Sequence, residues 1–144
     1  MRVSVEIKDA YRTIYAQDLT TDGHYLVVGD NYGMVSVYDC ETWKRAATLQ
    51  TELDCIYDLK VKNDMVICSG NSGIDHIRFD ELNISLEKQR KLWLEDANAA
   101  EVYEDRLFAG GRTGTLGIID LNNGMILGTI KAAHTDAIQA RVTK

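Results

Sequence analysis

The sequence predicts an all-β chain of about three consecutive four-stranded sheets and the first strand of a fourth, because two kinds of residue repeat along it with one period. Residues 25–39, Tyr25-Leu26-Val27-Val28-Gly29-Asp30-Asn31-Tyr32-Gly33-Met34-Val35-Ser36-Val37-Tyr38-Asp39, read as two short apolar strands around a Gly-containing turn, and residues 65–80 and 107–120 have the same grammar. The turn glycines Gly33, Gly73 and Gly114 recur at intervals of 40 and 41 residues, and the closing aspartates Asp39, Asp80 and Asp120 at 41 and 40. That period is the length of a four-stranded propeller blade. A repeat so short cannot cover both faces of its own sheet unless another stacks against it. The expected architecture is a partial β-propeller.

Taken in order, each unit opens with an inner strand: Ile14-Tyr15-Ala16-Gln17-Asp18-Leu19 in the first, and Ile56-Tyr57-Asp58-Leu59-Lys60-Val61 starting 42 residues later. Two strands follow around turns at residues 31–33, 71–73 and 112–114, where a tight hairpin needs the positive φ that glycine adopts without penalty. A later strand is expected at residues 44–49 in the first unit, and at 125–130 after Asn122-Asn123-Gly124 in the third. Residues 82–94 depart from the pattern, since Glu87, Lys88, Gln89, Arg90 and Lys91 stand where a plain outer strand belongs; a charged loop or short helix leading to a strand at Leu92-Trp93-Leu94 is expected. The blades should span about 11–52, 53–96 and 97–136, with the start of a fourth at 137–144.

Composition narrows the chemistry. The 144 residues are 45% hydrophobic and 26% charged, enough for a core, with a net charge of −6 that no long block of like charges concentrates. Direct RNA or DNA binding is not expected, because phosphate recognition needs a cationic stripe; Lys88, Arg90 and Lys91 form the densest basic group. Cys40, Cys55 and Cys68 lack metal or disulfide spacing and fit a reducing compartment, with Cys68 packing in an apolar run. The sequence contains no apolar stretch of signal-peptide or membrane-spanning length, so no membrane partner is expected.

A WD-like repeat carries Gly-His near its start and Trp-Asp near its end. Here the Asp is kept, Tyr38, Phe79 and Ile119 stand in the tryptophan position, and Ala133-His134-Thr135-Asp136 is similar to the opening of a fourth repeat. Tyr32, Ser72 and Thr113 occupy the place before the turn glycine where an acidic residue is usual, so the His/Asp network of well-formed blades lacks its usual acid. On these residues the chain resembles the subunit 6 family of the THO complex, a WD-repeat propeller family. The resemblance rests on Leu26-Val27-Val28-Gly29-Asp30-Asn31-Tyr32-Gly33, Lys91-Leu92-Trp93, Leu107-Phe108-Ala109-Gly110-Gly111, and the run from Asp120-Leu121-Asn122-Asn123-Gly124 to His134-Thr135-Asp136, in order from about Tyr11 to Ile138.

The resemblance implies a nuclear scaffold in mRNA processing and export, docked among other protein subunits of that assembly and meeting RNA only indirectly. The chain stops shortly after the fourth repeat begins, and Arg141 falls where the second repeat has Leu59, which suggests a truncated form, an alternative end or a fragment. In WD-like propellers the second residue of the inner strand resembles the rim of the channel entrance. Tyr15 and Tyr57 hold that place in two units, and Gln139 in the incipient fourth; Thr13, Cys55 and Ala137 lie two residues earlier and would flank them. The same tyrosines would equally serve as inter-blade packing.

No catalytic constellation is expected, and neither a cofactor nor a metal. His24 lies in a turn signal, His134 belongs to the repeat opening, and Asp75 and His76 are neighbours on a strand whose side chains point to opposite faces. Gly110-Gly111-Arg112-Thr113-Gly114 leads into a strand, whereas a phosphate loop must open a helix. The leading reading is a non-enzymatic protein-interaction scaffold; a WD-repeat scaffold of an unrelated cytoplasmic assembly stands second, and a small enzyme with acidic residues around a channel third. Self-association through open propeller ends is also expected, with Ile14, Val27 and Val37 exposed on one side and Leu116, Ile118 and Ile130 on the other.

Overall fold

The computed structural model describes residues 13–97, 99–111, 114–133 and 137–142. Three antiparallel sheets follow one another along the chain. The first is β1 (Ile14–Leu19), β2 (Tyr25–Asp30), β3 (Met34–Asp39) and β4 (Arg45–Gln50), in that spatial order. The second is β5 (Ile56–Lys62), β6 (Met65–Gly70), β7 (Gly73–Asp80) and β8 (Ser85–Trp93). The third contains β9 (Ala99–Tyr103), β10 (Arg106–Gly110), β11 (Thr115–Asp120), β12 (Ile126–Ala133) and β13 (Ala137–Val142). No helix occurs among the described residues.

Strand alternation divides the core into two layers with the second sheet between them. On β6, Val66 and Cys68 turn toward the first sheet, where they meet Val27, Val35 and Val37; Ile67 turns the other way, toward Leu107, Ala109 and Ile119. Ile77 and Phe79 of β7 join the first layer, and Ile74 joins the second with Trp93 of β8. Phe79 takes Tyr25 edge-on, with ring centroids 5.2 Å apart at 82°. Fully buried aliphatic side chains of this kind contribute about 1.5–3 kcal/mol each relative to exposure. The inner strands β1, β5 and β9 lie side by side, and two aspartates latch them. Asp18 receives the amide of its neighbour Leu19 at 3.0 Å on one oxygen and that of Val61, on β5, at 2.8 Å on the other. Asp58 does the same with Leu59 at 2.9 Å and Ala100, on β9, at 3.2 Å.

The recurrent aspartates have a defined task. Asp39 accepts the amides of Glu41 and Thr42, Asp80 those of Leu82 and Asn83, and Asp120 that of Asn122, so each carboxylate shapes the turn from the third strand of a sheet to the fourth. Four residues after each aspartate the chain enters the left-handed region, at Trp43 (φ 57°), Ile84 (φ 50°) and Gly124 (φ 74°). The first turns behave alike at Gly23, Asn63 and Glu104, and the middle turns at Gly33, Gly73 and Gly114. All nine positive-φ residues among those described thus fall at three turn positions, each occupied in all three sheets. Residues 112 and 113 of the third middle turn lie outside the described residues.

Three expectations change. Residues 82–94 hold neither a loop nor a helix but the nine-residue strand β8; it is the outer strand of its sheet, so its charged residues reach solvent while remaining in the ladder, with register shifts opposite Ile74/Asp75 and His76/Ile77. Val27 and Val37 are fully buried rather than open, because their parity directs them at the second sheet; Ile14 is half-buried. On the far side Leu116, Ile118 and Ile130 do face away from the second sheet and are incompletely covered. The strand expected to begin a fourth blade is present as β13 and pairs antiparallel with β12, Lys131 opposite Gln139, taking up backbone groups that an edge strand would leave unpaired. Residues 134–136, with His134, lie outside the described residues.

Ile84 is a β-branched residue held at φ 50°, a conformation that costs an L-residue roughly 1–2 kcal/mol. Ile84→Gly should therefore raise stability by about 1 kcal/mol once the greater freedom of unfolded glycine is subtracted. Ile84→Val should give no gain. Urea unfolding followed by circular dichroism checks both, and a glycine variant no more stable than the parent would show that the turn carries no such strain.

Candidate protein-docking rim

The ladders between the first two strands of sheets one and two break at the same place. Ile14 pairs with Asp30 and Ala16 with Gly29, leaving Tyr15 out of register; Ile56 pairs with Gly70 and Asp58 with Ser69, leaving Tyr57 out. A bulge of this type bends the strand and re-aims the extra side chain. Both tyrosines are swung to one end of the sheets, where their ring centroids come within 6.2 Å at an interplanar angle of 53°. Tyr15 is 56% exposed, while Tyr57 is half-buried beneath it.

The residues two positions earlier frame the pair. The Thr13 amide donates to the Asn31 side-chain oxygen at 2.7 Å, and the Asn31 amide donates to the Thr13 carbonyl at 3.0 Å, tying the start of β1 to the middle turn of its sheet. Asp30 stiffens that turn by accepting the amides of Tyr32 and Met34, both at 2.9 Å. Cys55 is half-buried beside Tyr57. Its thiol is pushed above the usual range by burial, a hydrogen bond with the Tyr57 side chain pulls it down, and the Asp30 charge adds a further upward push. Gln139 does not open a sheet of its own: it stands on β13, opposite Lys131 in the third sheet.

The loops at this end, residues 30–33, 51–55, 70–73 and 94–97, contain Asp30, Glu52, Asp54, Glu95 and Asp96, with the Lys91 ammonium reaching the Ser72 carbonyl at 3.5 Å; Arg112, in the third middle turn, lies outside the described residues. Glu52 is paired by Lys88 at 3.3 Å. The rim is an aromatic pair in an acidic setting. Its residue types were visible in the sequence; the bulges that bring the rings together were not, since no glycine marks them.

Neither a protein-family model nor a curated protein matches the sequence. Solved structures do match it. A chain of the crystal structure of the Mitotic Checkpoint Complex superposes with a TM-score of 0.74 at 20% identity, over 85% of this chain and 38% of that one. The β-propeller domain of Cps50 (Swd1) from Myceliophteria thermophila superposes with a TM-score of 0.76 at 16% identity, over 92% of this chain and 48% of that one. The chain is an arc of a β-propeller. It spans less than half the length of either neighbour, and its three sheets are blades.

Two further polar clusters lie within the arc. Asp75, fully buried in the second blade, lies 3.2 Å from the Lys91 ammonium, with no donor among the described residues aligned for a hydrogen bond to either oxygen. His76 points away from it, as the strand parity requires. At the opposite end of the blades Asp22, His24 and Glu81 bring one potential metal-ligating atom each within 4.8 Å of one another. The Asp22 carboxylate is already engaged there by the Thr20 hydroxyl at 2.7 Å and the His24 amide at 2.9 Å, and these bonds hold its pKa down at about 2. No helix among the described residues is long and apolar enough to cross a membrane.

His76 is half-buried, and desolvation, aided by the nearby Arg90 cation, lowers its pKa from the ordinary 6.5 against an opposing pull from Asp64. The folded imidazole thus stays neutral where the unfolded one takes up a proton. Its contribution to stability is complete above about pH 6.5 and declines as the pH falls below that value. Unfolding free energy measured from pH 7.5 to 5 should show this decline in the parent and a flatter slope in His76→Gln; equal slopes would remove His76 as its source.

Proposed function

We propose that this propeller arc is a non-enzymatic protein-interaction scaffold that docks partner subunits on the rim formed by Tyr15, Tyr57, Cys55 and Thr13; Gln139, on the outermost strand of the third sheet, is not part of it. The observation that carries the reading is the duplicated bulge: two blades spend an irregularity at the same position to present tyrosines side by side. Aromatic anchors on a rigid sheet edge suit protein recognition, and the acidic loops around them fit a basic partner surface. A structural neighbour taken from a multi-protein complex supports the same use of the fold. The sequence resemblance to subunit 6 of the THO complex supports a nuclear assembly acting in mRNA processing and export, with RNA held by the partners rather than by this acidic chain.

Replacing Tyr15 and Tyr57 together by alanine should weaken association with partner subunits by about 30-fold, the equivalent of about 2 kcal/mol for an anchor pair, while leaving the circular-dichroism spectrum unchanged. Affinity purification from separated nuclear and cytosolic fractions supplies the readout. Loss of the partners only in the double variant supports the rim, unchanged retention removes it, and recovery of all partners from the cytosol overturns the nuclear assignment.

The face of the third blade turned away from the second carries Phe108, Leu116, Ile118 and Ile130, none of them fully covered. We assign this face in the 144-residue chain to contact with a second copy. Sedimentation velocity should show a concentration-dependent shift that Leu116→Glu abolishes; a compact monomer at every concentration would refute the assignment.

A further inference from the structure

Between the outer strands of the second and third blades lies a cleft of about 540 Å³ that the rim does not use. Leu92, Trp93, Leu94 and Glu95 form one wall, and Thr115, Gly124, Ile126, Thr129 and Lys131 the other. Leu92 and Trp93 are buried in its floor, whereas Leu94 (81% exposed) and Ile126 (43%) stand open at its lip. Its size falls in the range of about 300–1,000 Å³ typical of ligand pockets.

The charge at the cleft mouth runs against the rest of the molecule. Lys131 is exposed toward one end of β12, and the Arg90 guanidinium sits near the other end beside Gly124, where an added Cβ would come within 2.9 Å of it. Among the described residues neither cation has a carboxylate partner, while the Lys91 ammonium is turned inward to Asp75. Glu95 is the single acidic residue in the lining, in a chain of net charge −6.

We propose that this cleft binds a short acidic segment of a partner protein lying along β12, an aliphatic side chain entering over Trp93 and Ile126 while carboxylates at the segment's two ends meet Lys131 and Arg90 separately. A nucleic-acid backbone is disfavoured by the same geometry. Two cations do not make a phosphate-tracking stripe, and the aliphatic lip offers a phosphate no donors.

Trp93 reports on occupancy once Trp43, the only other tryptophan, is replaced by phenylalanine. The probe is the acetylated, amidated pentapeptide Glu-Leu-Asp-Leu-Glu, titrated into the 144-residue chain and followed by tryptophan fluorescence. Saturable change is expected, weakened about five-fold by Lys131→Glu and further by adding Arg90→Glu, and lost in Ile126→Asp. All three sites are at least partly exposed, and circular dichroism confirms that the variants fold. Matching peptides with lysine for the acidic residues, or serine for leucine, should not bind. No saturable signal, equal binding of either control peptide, or indifference to the charge reversals overturns the proposal, as does equally tight binding of oligouridylate. Tyr15→Ala/Tyr57→Ala should leave this titration unchanged, so failure here is distinct from failure of the rim.

Discussion

The structure depends on the central strand of the second blade being covered on both faces. A sheet about six residues wide and four strands deep presents apolar residues on both sides once Val66, Ile67 and Cys68 follow one another, and each side must be met by another sheet. Parity then fixes the rest. Val27 and Val37 must turn toward Cys68, Leu107 and Ala109 must turn toward Ile67, and a slip of one residue in any ladder would exchange buried for exposed on that whole strand. The latches of Asp18 and Asp58 work only because the inner strands are already pressed together; each then satisfies an amide of the next blade that the ladder of that blade leaves free.

The repeat was legible because its strongest markers are chemical necessities of the turns. Glycine at 33, 73 and 114 and aspartate at 39, 80 and 120 answer to a positive φ and to orphan turn amides. The other left-handed positions were hidden. Trp43, Asn63, Ile84 and Glu104 share no side-chain chemistry, and only the backbone shows that Trp43 and Ile84 do what Gly124 does. Sequence marks a turn where conformation selects the residue; it is silent where packing of the blades imposes the conformation on whatever residue is there.

The same distinction separates the two surfaces. Tyr15 and Tyr57 could be matched because they occupy one slot of the repeat, although their meeting depends on bulges that neither sequence segment announces. β8 was misread for a related reason. A central strand must alternate, but an outer strand is wetted along one edge and part of both faces, so Glu87 to Lys91 can all be polar within a regular ladder. The cleft beside it was hidden because Trp93 and Ile126 come from different blades: Ile126 holds the slot of Arg45 and Leu86, but nothing in the sequence brings it to Trp93.

The irregular end of β8 connects core to cleft. Ile74 pairs with Trp93 and Asp75 with Lys91, so Leu92 is left over by the bulge and sequential residues Leu92 and Trp93 are both buried where alternation would expose one. Lys91, anchored on Asp75, fixes where that bulge begins. Gly117 completes the arrangement from the third blade: a Cβ there would fall 2.5 Å from the Trp93 ring. The indole can approach β11 this closely only because that residue has no side chain. A buried carboxylate with a single cationic neighbour costs stability in itself, by the desolvation that one ion contact does not fully offset. Here its effect is positional, holding the end of an edge strand so that one aromatic ring closes the second blade against the third and still forms the floor of an open cleft.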